Sequence, residues 1–272
     1  MSRAWLRLRL TTQQEDTRDA APERAVEGAR HAVRAVTRRD PDADWSLLPL
    51  DDGSLLLWFA AAFGQLDRTG AEARRAAAAA GCVARGDDDA ELWSRYAPCH
   101  DSEQTRKLST VSSAFALTVL ASGGLPASRR LPLAVAHMRQ VSGLVPDRDR
   151  AGFLFACWKD WTCDATPAQR VALEQWVTAL PATPEWRAEM GWSAEVRAAW
   201  RRYLDTLQVT AIDPDMTGTP LNYLLFEHAH LLHRRLGIPP GTEGLAARIV
   251  RSAALSPRPG AKPADAAVVG AG

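Results

Sequence analysis

The chain has 272 residues, 46% of them hydrophobic, enough apolar material for one large domain or two small ones. Its 33 Lys and Arg nearly balance 32 Asp and Glu, and a net charge of +1 supplies no field to recruit a polyanion, which excludes nucleic acid as an expected direct partner. No apolar run approaches the ~18 residues of a membrane span, and MSRAWLRLRL lacks the apolar stretch and cleavage site of a secretory signal, so a cytoplasmic protein without a membrane partner is expected.

The first 98 residues alternate strand and helix signals. AWLRLRLTT sets Trp5, Arg7 and Arg9 against Leu6, Leu8 and Leu10, the two-residue period of a half-buried strand. PERAVEGARHAVRAVTRR opens with Pro22 in its first turn and carries Ala25, Val26, Ala29, Val33 and Val36 at helical spacing. DWSLLPL and SLLLWFAAAF are two strands split by the hairpin turn DDG. TGAEARRAAAAAGC is an alanine-driven helix ending at Gly81, and ELWSRYAP reads as a last short strand stopped by Pro98. The order is βαββαβ, so the predicted fold class is α+β: a ferredoxin-like antiparallel sheet packed on a mainly helical C-terminal half.

Helical spacing then predicts helices over 103–122, 130–143, 149–163, 167–180, 184–190, 193–208, 219–236 and 241–255. Thr166 before Pro167 and Thr183 before Pro184 mark two starts, and Asp101 with Ser102 marks another. The tail SPRPGAKPADAAVVGAG has no periodicity and is expected to be disordered. The expected organisation is a subdomain over 1–98, a helical subdomain over 99–256 and a tail over 257–272, with the first two forming one catalytic unit. Cys82, Cys99, Cys157 and Cys163 show no paired metal-ligand spacing and are expected to be reduced thiols.

FEHAHLLHRRLGI, residues 226–238, concentrates three histidines and two arginines on a helix. At ~100° per residue, Tyr223, Glu227, His230 and Arg234 share one stripe, while five leucines occupy a broad arc that also contains His228 and Arg235. Three readings are open: a solvated polar stripe, a metal site on His230 and His233, or an acid/base cluster lining a cleft. H-E-x-x-H is absent, and no third metal ligand is evident.

The segment from Phe226 through PPGTEGLAARIVRSAAL resembles the closing signature of the lanthionine-dehydratase elimination-domain superfamily. The family pattern is a histidine, an apolar residue, two spacers, then Asn-Arg-Leu-Gly. Here it reads His230-Leu231-Leu232-His233-Arg234-Arg235-Leu236-Gly237, with Arg234 where the family has Asn. WLRLRL is similar to a family strand with alternating arginines, matching Arg7 and Arg9. YAPCHDSEQTRKL stands where the family shows Tyr-x-x-Glu followed by Arg-Tyr-Gly-Gly. Tyr96 is kept, Cys99 replaces the Glu, and the Arg-Tyr-Gly-Gly is missing.

The superfamily contains glutamate-elimination domains and stand-alone thiopeptide pyridine synthases, which act on ribosomally made peptides. The resemblance therefore implies a modified precursor peptide with its leader as partner, alongside other enzymes of the pathway, and requires no metal or redox cofactor. The missing glutamate-binding segment, and a chain standing without a glutamylation domain, point to the pyridine-synthase branch; the elimination half of a split tRNA-dependent dehydratase is the alternative. An inactive peptide-binding scaffold is a third reading, because a cation at Arg234 beside His230 disfavours the imidazolium. His230, Tyr223 and Glu227 are the expected catalytic group, with Glu227 able to orient His230. Arg7, Arg9, Arg235, Trp158 and Trp161 are expected to bind substrate, although Trp is more often core. Ser109, Ser112 and Ser113 are expected as hydroxyls on a helix surface.

Overall fold

The computed structural model describes residues 3–12, 21–87, 102–178, 191–212 and 219–255. The first part runs β1 (Arg3–Thr12), α1 (Ala21–Arg39), β2 (Trp45–Pro49), β3 (Leu55–Ala62), α2 (Leu66–Ala79) and β4 (Cys82–Gly86). The sheet order is β2-β3-β1-β4 and every neighbouring pair is antiparallel, the ferredoxin-like arrangement. Arg7 lies opposite Trp58, and Arg9 opposite Leu56.

The fourth strand differs from the expected one. It begins at Cys82, immediately after Gly81, whose φ of 75° suits a residue without a Cβ and turns the chain straight from α2 back to the sheet. CVARG is too short, and carries too many small and charged residues, to show an alternating pattern. ELWSRYAP lies outside the described residues, as do the expected helix 184–190 and the C-terminal tail.

The helical part contains α3 (Glu103–Ala121), α4 (Ala127–Gly143), α5 (Asp147–Trp161), α6 (Pro167–Thr178), α7 (Ala194–Ile212), α8 (Leu221–Arg235) and α9 (Pro240–Leu255). Two starts carry the expected caps. The Ser102 hydroxyl accepts from the Thr105 amide at 3.2 Å, and Thr166 and Gln169 exchange hydrogen bonds as a capping box.

The sheet buries one face under α1 and α2, with Leu8, Leu10, Leu47, Leu57 and Phe59 in that core. A second core fills the helical part around Phe115, Trp200, Tyr203 and Leu232. On the other face of the sheet, Leu231 of α8 packs against Leu48, Leu56 and Trp58, with Trp5 beside them. Alternation puts Arg7 and Arg9 on that same face.

The two parts meet at the edge strand β2, where α3 presents hydroxyls to the open side of the sheet. Trp45 N donates to Thr110 Oγ1 at 3.0 Å, and Leu47 N donates to Ser113 Oγ at 3.1 Å. Arg235 completes the edge. Its Nε donates to the Leu47 carbonyl at 2.9 Å, Nη1 to Ser112 Oγ, and Nη2 to Ser46 Oγ at 2.8 Å and Ser109 Oγ at 2.9 Å. Ser109, Ser112 and Ser113 are thus fully buried rather than surface hydroxyls, because α3 turns its small polar face to a strand edge that needs partners.

Replacing Arg235 with Leu leaves a carbonyl and three hydroxyls without their donor in a dry layer. We expect a loss of roughly 3 kcal/mol or more in urea-melt stability. Arg235→Lys should recover only part of it, since a point charge cannot span the guanidinium's partners. A loss below about 1 kcal/mol for Arg235→Leu would mean that packing alone holds the edge.

Candidate active site

Helix α8 carries the histidine segment between sheet and helices. Its apolar arc, Leu224, Leu225, Leu231 and Leu232, is buried, and His228, His233 and Arg235 are buried with it. His230 reaches the surface, its side chain 21% exposed. Tyr223 is half exposed, and Glu227 and Arg234 are partly buried.

The carboxylate that meets His230 is Glu243, from the first turn of α9, not Glu227. Its Oε2 stands 3.0 Å from His230 Nδ1 and 3.2 Å from His233 Nδ1, and the side chain is fully buried. The helix N-terminus favours this anion further. Glu227 sits three residues before His230, and helical neighbours at that spacing need not bond when the ring turns toward another element.

Behind this pair, the hydrogen bonds continue inward. His137 of α4 places Nδ1 3.0 Å from His233 Nε2 and Nε2 2.8 Å from the hydroxyl of Tyr203 on α7. Trp161 stacks with two α8 rings one turn apart, its centroid 5.2 Å from that of Phe226 and 6.0 Å from that of His230 at shallow interplanar angles. Gly244 lets α9 approach α5 here, because a Cβ would lie 2.5 Å from Thr162 Cγ2.

Burial pushes the Glu243 carboxyl up, but hydrogen bonds from His230 and His233, with their charges, outweigh it and hold the group below the ordinary carboxylate range. Burial, and then repulsion by His233, depresses His137 well below the ordinary histidine range. Burial raises the Tyr203 phenol, so its hydroxyl keeps the hydrogen.

The other expected site residues fall in different places. Arg235 is 1% exposed and engaged at the strand edge, so it does not reach a substrate groove in this arrangement. Arg9 donates to Ser54 Oγ and Asp52 beside the β2–β3 turn. Arg7 shares the sheet face that α8 covers. Trp158 and Trp161 are both buried, at 5% and 6% exposure, in the α5–α9 contact. Arg234 lines a cavity of about 240 Å³ with Leu50, Asp51 and the turn Gly237–Pro240. Larger cavities of about 400 and 310 Å³ lie between α1 and α3 and between α3 and α7; none of these three is lined by His230.

Glu243, His233, His137 and Tyr203 were outside the expected catalytic group. Glu243 had a faint signal, a lone acid on the Gly-rich start of a helix next to the histidine segment. His137 and Tyr203 had none, since His137 lies 96 residues from His233 and 66 from Tyr203 in sequence and they meet only through packing. Among the described residues, no group of three His, Cys, Asp or Glu is arranged to hold a metal ion, and no helix is long and apolar enough to cross a membrane.

Stability should depend on pH through these groups. Between its depressed folded value and the ordinary value near 6.5, His137 is neutral when folded and protonated when unfolded, so acidification weakens the fold. Glu243 acts in the same direction at lower pH, its stabilisation being lost as pH falls through its depressed folded value. Melts between pH 7 and 4 should therefore show falling stability, by up to about 1.4 kcal/mol per pH unit per group. His137→Leu should flatten the slope just below pH 6.5 while lowering stability at neutral pH. An unchanged slope would contradict the assignment.

No family model matches the chain, and no curated protein matches it in sequence. Solved structures do. The tRNA-dependent lantibiotic dehydratase MibB from Microbispora sp. 107891 aligns with 92% of this chain at 16% identity and a TM-score of 0.52. The pyridine synthase TbtD from thiomuracin biosynthesis aligns with 93% of this chain and 98% of its own length, at 16% identity and a TM-score of 0.48. The chain spans only 28% of the dehydratase's length. The chain thus shares the fold of part of a lantibiotic dehydratase.

Proposed function

We propose that this protein is a peptide-modifying enzyme of ribosomal-peptide biosynthesis, of the thiopeptide type, which joins two dehydroalanines of a modified precursor into a pyridine ring and releases the leader. The observation that carries this reading is the His230–Glu243 pair. A surface imidazole is backed on Nδ1 by a buried carboxylate and stacked on Trp161, at the position where the sequence resembles the superfamily's histidine motif. That is the geometry of a base with its orienting group.

In the reaction that the resemblance implies, an amide shifts to its iminol and the resulting azadiene adds across the second dehydroalanine. Water and the leader, as a carboxamide, then leave. The tautomerisation and the two departures each move a proton, and a histidine is suited to both directions near neutral pH. With hydrogen on Nδ1 facing Glu243, the His230 lone pair is on Nε2, where it can accept from an amide or iminol. Tyr223, on the same stripe, can donate to a carbonyl oxygen, and Glu227 can touch the same substrate. The arginine-bearing face of β1 extends the surface beside α8, where Arg7 suits an acidic leader. Holding both ends of a long chain can itself supply several kcal/mol, on the order of what positioning gives elsewhere.

Elimination of a glutamyl ester needs arginines available to hold a carboxylate. Arg235 and Arg9 are engaged by protein groups, which removes two of the three expected arginines from that task.

Incubation with a bis-dehydroalanine peptide bearing azoles and a leader should yield a macrocycle and free leader amide, read by mass spectrometry. His230→Ala should reduce turnover at least about a hundred-fold while peptide affinity changes less than about three-fold. Peptide binding with no product from the parent protein would favour the scaffold reading instead. Glutamate release from a glutamylated peptide would establish the elimination reading.

A further inference from the structure

The mechanism above uses His230 and one oxygen of Glu243, and leaves three buried groups without a task. His233, His137 and Tyr203 are each fully buried, each polar, and joined to one another and to Glu243. Polar side chains in a core are retained at a cost unless the network is complete, so their arrangement calls for an explanation.

The hydrogen positions along the chain follow from the acceptors. An ionised carboxylate can only accept, so both His230 and His233 donate to Oε2 through Nδ1. A neutral His233 then has its lone pair on Nε2 and accepts from His137 Nδ1. His137 in turn accepts at Nε2 from the Tyr203 hydroxyl. With His233 neutral every donor meets an acceptor; the carboxylate end sets this direction, and the Tyr203 hydroxyl, which can donate or accept, follows it.

The opposite state explains why the chain matters. Glu243 is fully buried, and its other oxygen, Oε1, has no hydrogen-bond partner among the described residues. Burial pulls such a group toward the neutral acid. A protonated Glu243 could donate to His230 Nδ1, which would move that ring's hydrogen to Nε2 and point a donor where the lone pair belongs. The groups that decide between the two states come from every element around the carboxylate. His230 and His233 of α8 favour the anion, while Cys157 of α5, a thiol kept neutral mainly by burial, adds no competing charge.

We propose that His233, itself held by His137 and Tyr203, is a positioning residue: it keeps Glu243 an anionic acceptor and thereby confines the His230 ring to the tautomer with hydrogen on Nδ1 and its lone pair on Nε2. The consequence for catalysis rests on the reading of His230 as the acid/base, but the tautomer lock itself does not.

The test is nitrogen-15 NMR of histidine-labelled full-length protein, with carbon-13 detection of the Glu243 carboxyl, on the parent, His233→Phe and Tyr203→Phe. In the parent, neutral His230 should carry hydrogen on Nδ1. In His233→Phe burial acts on Glu243 against His230 alone, so the Glu243 midpoint should rise by about two pH units or more toward neutrality, and the ratio of Nδ1-H to Nε2-H forms of neutral His230 should fall about ten-fold as Glu243 takes up its proton. Tyr203→Phe removes one hydroxyl without emptying space and should move both readouts in the same direction by about two- to three-fold. If His233→Phe does not fold, Tyr203→Phe decides alone. A parent ring with hydrogen on Nε2, or variants whose readouts match the parent, overturns the proposal. Turnover of the bis-dehydroalanine peptide separates the two ideas. Tautomer shifts in a protein that never forms the macrocycle leave the lock standing and remove the proposed reaction. In an active parent, His233→Phe should lower kcat about ten- to a hundred-fold with little change in KM.

Discussion

The architecture depends on how one strand edge is closed. β2 is one of the two edge strands, and its outward amides and carbonyl would otherwise need water or another chain. A serine-rich face of α3 and the guanidinium of Arg235 supply those partners. Hydroxyls suit this task because each can donate and accept, and can rotate to fit both the strand and the arginine. The result is a polar seam between two apolar cores, and it fixes the height and rotation of α8 against the sheet. A helix held by leucines alone could slide or roll by a fraction of a turn. A helix whose last residue makes bonds to a strand and to another helix cannot.

That fixation reaches the candidate site because Arg235 and His230 belong to the same helix. The seam locates α8 at one end, the Phe226–Trp161–His230 stack locates it along its length, and Glu243 meets it from α9. The imidazole is therefore positioned from three sides, by the sheet edge, by α5 and by the helix that follows its own. Its exposure is small but not zero, which suits a group that must touch a substrate while its other nitrogen stays dry. The same helix thus does two jobs with its cations and imidazoles. One side closes a sheet, and the other presents chemistry.

Much of the fold was legible from periodicity. The alternation of Leu6, Leu8 and Leu10 marked β1, the DDG turn marked the β2–β3 hairpin, and Thr166-Pro167 marked the start of α6. β4 was not legible, because a five-residue edge strand of Cys, Val, Ala, Arg and Gly has one fully buried side chain and no alternation to display. At the site, helical spacing correctly separated the Tyr223–His230 stripe from an arc in which His228 and Arg235 were bound to be buried. It could not show that Arg235 ends at a strand edge, or that the acid beside His230 comes from the next helix. Pairings of that kind depend on which faces meet across the fold, and a single sequence carries no record of distance between helices.

The glycine at position 244 adds a constraint of another kind. Its Cα stands where the Thr162 side chain leaves no room for a methyl group, and Thr162 is itself pinned by a 2.6 Å bond from its hydroxyl to the Trp158 carbonyl. Any larger residue would act as a wedge, lifting the start of α9 and withdrawing the neighbouring carboxylate from the ring it faces. The reach of the acid is thus governed by a spacer with no chemistry of its own.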